Sequence, residues 1–174
     1  MDIPLIERVK IQAQVLVPLV RALQAELGED RANAIVRQAL AALYRGFGET
    51  WWRSQHAAGL GDRMARAFEA FAAAGALDTD VVRQAPDAFD VDVTRCAYAE
   101  FYQAIGAPDL GFLLTCSADF DLASGYGAPV RLTRTQTIMQ GANRCDFRYA
   151  LDARADDAGP SGIARGASRD AQRS

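Results

Sequence analysis

The sequence predicts an α+β fold in one domain over residues 1–151, with a helical N-terminal half packed on a small antiparallel sheet that carries further helices. Two patterns predict it. Through about residue 75 the large apolar residues recur three and four apart, the period of a helix with one buried face. From Phe89 onward the period falls to two, first in Phe89, Val91 and Val93 and later in Cys145, Phe147, Tyr149 and Leu151, as in half-buried strands. Half of the 174 residues are hydrophobic, which is enough for one core of this size.

The first helix carries the stripe Ile6, Val9, Ala13, Leu16, Val20, Leu23 and Leu27. Asp2 can cap it, Pro4 suits its first turn, Pro18 should bend it and Gly28 ends it. The stripe suits packing within the domain; the sharper alternative is a homodimer contact through the same helix. A second helix is expected from Asp30 to Phe47, with Ile35, Val36, Ala39, Leu40, Leu43 and Phe47 inward and Gly46 and Gly48 as breakers. Trp51 and Trp52 then read as large core or interface groups, or as the lining of a ligand pocket. A third helix, Asp62 to Ala74, presents Met64, Phe68 and Phe71.

The strand through Phe89–Val93 gives way at Cys96 to a helix whose apolar face is Tyr98, Phe101, Tyr102 and Ile105, stopped by Gly106. A short helix is expected from Pro108 towards Cys116. A strand from Val130 to Met139, a turn at 140–143 and a last strand from Cys145 form an antiparallel hairpin. Residues 152–174 hold almost no large apolar side chain and read as a disordered tail.

The net charge of -3 gives no reason to expect nucleic acid as a partner. No uninterrupted apolar run is long enough for a membrane span. Three cysteines do not make a disulfide scaffold, and a soluble, cytoplasmic protein in a reducing compartment is the plain reading.

No Gly-rich phosphate loop, HExxH or CxxC is present, and the single histidine, His56, sits in a polar stretch between helices. The thiols are therefore the first candidates for chemistry. Cys96 stands at a helix start, where unpaired backbone donors and the helix dipole favour a thiolate; otherwise it is a small buried hydrophobe. Cys116 lies three residues before Asp119, so thiol and carboxylate can face one cavity, unless Asp119 merely caps a helix. Cys145 points with Phe147 and Tyr149 towards the interior. If the three converge, with Glu100 or Asp119 as a fourth group, they suit either zinc or one activated nucleophile beside two structural thiols. Their spacings, with 19 and 28 residues between them, match no zinc finger or ribbon.

The motifs Cys96-x-Tyr98-x-Glu100-Phe101-Tyr102, Ile105-Gly106 with Pro108-Asp109-Leu110, Cys116-x-x-Asp119, Arg134-Thr135-x-Thr137 and Gly141-x-x-x-Cys145-Asp146-Phe147-Arg148-Tyr149 resemble the L-2-amino-thiazoline-4-carboxylic acid hydrolase family. The resemblance implies a hydrolase acting on carbon–nitrogen bonds, other than peptide bonds, in a small cyclic substrate. Water would add at C2 of a thiazoline-type ring, and collapse would open it to a carbamoyl-cysteine. In that reading Cys116 or Cys145 is the nucleophile or the water-activating ligand, Cys96 completes the cluster, and Asp119 moves the proton. Arg134 or Arg148 would grip the substrate carboxylate, although on a surface strand either also serves as a solvated cross-strand partner. The alternative is a non-catalytic small-molecule or zinc-binding module, similar to sensor domains of the vinyl-reductase type, with zinc on Cys96, Cys116 and Cys145.

Overall fold

Gly28, with φ +81°, is the whole connection between the two longest helices, α1 (Leu5–Leu27) and α2 (Glu29–Ser54). These belong to a computed structural model that describes residues 3–56, 59–127 and 130–152, so the expected Asp2 cap and the tail from residue 153 lie outside the described residues. Pro4 occupies the cap position of α1, and the helix runs on through Pro18. Its stripe packs inward as expected: Ile6, Ala13 and Val20 are buried, with Val9, Leu16 and Val17 against the same core. The opposite face leaves Ile11, Val15 and Leu19 exposed.

α2 departs from expectation twice. Gly46 and Gly48 do not break it, and Ile35, Leu43 and Phe47 face solvent instead of the core. The buried positions are Ala32 and Gly48, with Val36 and Leu40 half-buried. Gly48 serves contact: a Cβ there would lie 2.1 Å from the carbonyl oxygen of Leu122 on α6 (Ala118–Ser124). Gly125, just after α6, is equally tight, 2.1 Å from the Arg45 carbonyl oxygen. Two glycines thus let α2 and the C-terminal end of α6 touch backbone to backbone.

The sheet has the order β1-β2-β4-β3, every neighbour antiparallel. Its strands are β1 (Leu77–Ala85), β2 (Ala88–Cys96), β3 (Val130–Thr133) and β4 (Cys145–Leu151). β1 goes beyond the sequence expectation. It is an edge strand with register shifts at Asp78/Thr79 and Val81/Arg83, and these bulges disrupt the alternation that would announce it. β2 is central, and Phe89, Val91 and Val93 are buried between the sheet and α3 (Leu60–Phe71). Full burial of such a side chain contributes roughly 1.5–3 kcal/mol.

β3 ends at Thr133, short of Met139, so the hairpin closes through residues 134–144 and not through a tight turn. Asp146 draws the chain out of the ladder: its carboxylate accepts from the amides of Thr135 and Gln136, each at 2.9 Å, and from the Thr135 hydroxyl at 2.5 Å. Thr137 then caps a single 3-10 turn, Ile138–Gln140, by accepting from the Gln140 amide at 3.2 Å.

The remaining helical pieces are α4 (Ala97–Ala104) and α5 (Pro108–Gly111), the latter running into a π turn at Phe112–Cys116. One core joins α1, α2, α4, α5 and the π turn, and a second joins α3, the sheet and the end of α6. Cys96 packs against both, so it lies at their junction. No helix among the described residues is long and apolar enough to cross a membrane.

Candidate functional site

Cys96 ends β2 and caps α4, accepting from the Ala99 amide at 3.4 Å. Of the two readings left open for it, a thiolate favoured by the helix start and a small buried hydrophobe, burial decides for the second. Desolvation pushes the Cys96 thiol up to about 11, against the weaker help of the Ala99 and Tyr98 amides. Cys145 opens β4 and accepts from the Ile138 amide at 3.2 Å; burial raises it too. Cys116 closes the π turn and lies well above the usual thiol range, through burial first and the nearby Asp119 charge second. All three thiols are free, and the structure favours their neutral form.

The π turn sets the direction in which α6 leaves it. The Ser117 amide reaches back to the Phe112 carbonyl at 2.8 Å, one residue further than in an α-helix. Side chains take up neighbouring carbonyls: the Ser117 hydroxyl donates to Leu113 at 2.5 Å and the Tyr44 hydroxyl to Leu114 at 3.2 Å. Arg134, on the segment leaving β3, donates to the Cys116 carbonyl at 3.0 Å and, through its other terminal nitrogen, to Asp119. Its guanidinium lies 5.1 Å from the Phe120 ring centre and 5.2 Å from that of Phe147, and the side chain is 3% exposed. Such enclosure between rings suits a planar guanidinium better than an ammonium.

Asp119, in the first turn of α6, is the centre of this region. Burial raises its carboxyl to about 6 although the Arg134 charge and hydrogen bond pull it down. For its neighbours too burial is the largest cause, and beyond it the Asp119 charge raises all three thiols and Tyr44, Tyr98, Tyr126 and Tyr149. The thiols are also coupled to one another: Cys96 and Cys145 both raise Cys116, and Cys145 raises Cys96. Cys96, Cys116, Cys145 and Asp119 are therefore gathered into one region. Among the described residues, however, no three His, Cys, Asp or Glu side chains are grouped to hold a metal ion, so the zinc alternative has no ligand set there.

Two expected members stand apart. Arg148 alternates with Cys145, Phe147 and Tyr149 along β4 and so points to the other face of the sheet. There it donates to Asp92 at 2.7 Å and to the Val91 carbonyl at 3.1 Å, which makes it a cross-strand partner. Glu100 pairs with Arg95 at 2.7 Å on the surface. His56 is exposed.

Sequence reasoning passed over the tyrosines and the Asp119–Arg134 pair. The alternation of the last strand does place Tyr149 inward with Cys145, but with no part in the site. Tyr126 gave only a glycine-flanked loop signal. Its ring stacks on Trp52 at 5.4 Å and meets Trp51 at 5.3 Å, so the paired tryptophans brace a buried tyrosine. Beside it a cleft of about 240 Å³ opens between Glu49, Trp52, Arg53, Ser124, Gly125 and Gly127.

A family model described as L-2-amino-thiazoline-4-carboxylic acid hydrolase matches residues 8–149, which includes every element from α1 to β4 that contributes to this region. No curated protein sequence matches the chain.

Proposed function

The chain belongs to the L-2-amino-thiazoline-4-carboxylic acid hydrolase family, and from that premise we propose that it opens a small thiazoline-type ring by hydrolysis, with Asp119 as the proton-transfer group. The observation that carries the reading is a half-buried carboxyl raised to about 6, in a region that also holds three thiols and four tyrosines. A general acid–base group works best with its pKa near the working pH.

In the proposed cycle the Asp119 carboxylate takes a proton from water as the water oxygen bonds to C2 of the ring, across its carbon–nitrogen double bond. The second proton of that water passes to the ring nitrogen as the carbonyl forms and the C2–sulfur bond breaks, and Asp119 gives the proton it holds to the leaving sulfur. The sum is substrate plus one water giving a carbamoyl-cysteine. Arg134 keeps the Asp119 carboxylate in place and partly ionised; its two hydrogen bonds are to the protein, which supports a positioning role over the substrate grip expected from sequence.

Water is preferred to a thiol as nucleophile on electrostatic grounds. A Cys116 thiolate would add a second full negative charge beside Asp119 in a poorly solvated region, whereas concerted attack by water never forms one. The test monitors ring opening by proton NMR. Asp119→Asn should lower kcat/KM by about 10²- to 10⁴-fold, while Cys116→Ala should retain activity within about tenfold. Full activity in Asp119→Asn would refute the assignment, and abolition by Cys116→Ala in a folded protein would transfer the attack to sulfur.

A further inference from the structure

Away from Asp119, a cleft of about 460 Å³ opens between the start of α1, the turn at Ala74–Ala76 and the start of α4. Its volume falls in the range of small-molecule sites, roughly 300–1,000 Å³. Ile6 and Phe101 supply apolar surface, and two ion pairs line the walls: Lys10 with Glu7 at 2.8 Å, and Arg95 with Glu100 at 2.7 Å. All four charged side chains are between 38% and 52% exposed, so each pair is weakly held and free to exchange partners.

The cleft wall is conformationally strained. Ala74, with φ 60° and ψ 26°, is the non-glycine residue in the left-handed region among the described residues, and Gly75 beside it has φ +70°. Arg95 holds this turn, donating to the Gly75 carbonyl at 3.0 Å with one terminal nitrogen while the other serves Glu100. Strained backbone retained at the edge of a cleft, and fastened by a charged side chain of that cleft, is characteristic of binding sites.

The charge arrangement selects a ligand class. Two cations and two carboxylates sum to zero, so a lone anion approaching Arg95 and Lys10 also meets Glu7 and Glu100, and a lone cation meets the reverse. A molecule carrying both charges can exchange into both pairs at once. We infer that this cleft binds a small α-amino-acid-type zwitterion, its carboxylate on Arg95 and Lys10, its ammonium on Glu7 and Glu100, and an apolar side chain against Ile6 and Phe101. Binding here is independent of the ring-opening reading.

The experiment is a titration of the full chain, monitored by amide chemical shifts, with L-leucine and its two halves, 4-methylpentanoate and 3-methylbutylamine. L-Leucine should bind saturably, and each half at least about tenfold more weakly, the equivalent of one lost charge-assisted contact. Arg95→Gln and Glu7→Gln should each weaken L-leucine by a similar factor, and Asp119→Asn should leave it unchanged. Because Arg95 also supports the turn, Glu7→Gln carries the test if Arg95→Gln does not fold. Equal binding by the halves, no saturable binding at millimolar L-leucine, or binding indifferent to Glu7→Gln would overturn the assignment.

Discussion

Replacing Arg134 by methionine removes a charge from between two aromatic rings while keeping the length of the chain that fills the space. In the native protein Arg134 is the cation that lowers the Asp119 pKa against the effect of burial, and the carboxyl rests at about 6. A hydrogen bond to a charged group contributes about 1.5–3 kcal/mol. At 1.36 kcal/mol per pKa unit that is about one to two units, so Asp119 in Arg134→Met should titrate near 7 to 8. The acid limb of kcat/KM, which reports the free enzyme's base, should move up by the same amount. Stability carries a second signature. A carboxyl whose folded pKa is raised contributes its stability fully below the unfolded value of 3.8, and that contribution is lost as pH rises through the folded pKa. In the native protein the loss falls between about pH 4 and 6 and is at most about 3 kcal/mol, water screening part of it because the side chain is 29% exposed. In Arg134→Met it should continue to about pH 8. Urea unfolding should therefore show a larger deficit at pH 8 than at pH 5, by about 1.5–3 kcal/mol, on top of a pH-independent loss from the vacated ring contacts. An unmoved acid limb, or equal deficits at the two pH values, would refute the pairing as the determinant of Asp119.

Gly48→Ala should lower Tm by several degrees, because overpacking typically costs about 1–3 kcal/mol and this Cβ meets backbone at 2.1 Å; a Tm within error of the native value would mean that α2 and α6 can separate freely. Iodoacetamide labelling of the folded protein, read out by mass spectrometry, should accelerate about tenfold per pH unit from 7 to 10, since only the thiolate reacts and Cys96 titrates near 11. A plateau at Cys96 near pH 8 would contradict the dominance of burial over the helix start.

The parts of the fold legible in the sequence are those where one face of an element sees a core. The stripe of α1 and the alternation of β4 each belong to an element with one wet and one dry side, and both were readable. α2 was misread because glycine carries two signals: at Gly48 the absent side chain makes room for Leu122, and the helical period continues past it. β1 escaped notice because an edge strand with bulges has few buried positions to alternate. The sequence singled out Cys96, Cys116, Asp119 and Cys145 as candidates, and in the fold the charge of Asp119 reaches all three thiols. For Cys96 it left a stabilised thiolate and a buried hydrophobe both open, and burial decides for the second, since a local motif carries the helix dipole but not the surrounding burial. The opposed fates of Arg134 and Arg148 were likewise out of reach, because sheet face depends on register, and register depends on where Asp146 draws the chain out of the ladder.

The π turn at Phe112–Cys116 makes the direction of Asp119 a matter of counting. An α-helix advances about 100° per residue, and a turn that closes five residues back in place of four holds one residue more than the ordinary spiral. Removing a single residue, Thr115 for instance, would let the segment relax to regular helix and would turn Asp119 by about that angle, away from Arg134, without altering any side chain named in the site. Chain length in that one turn, as much as residue identity, then decides whether a copy of this fold can present its carboxyl.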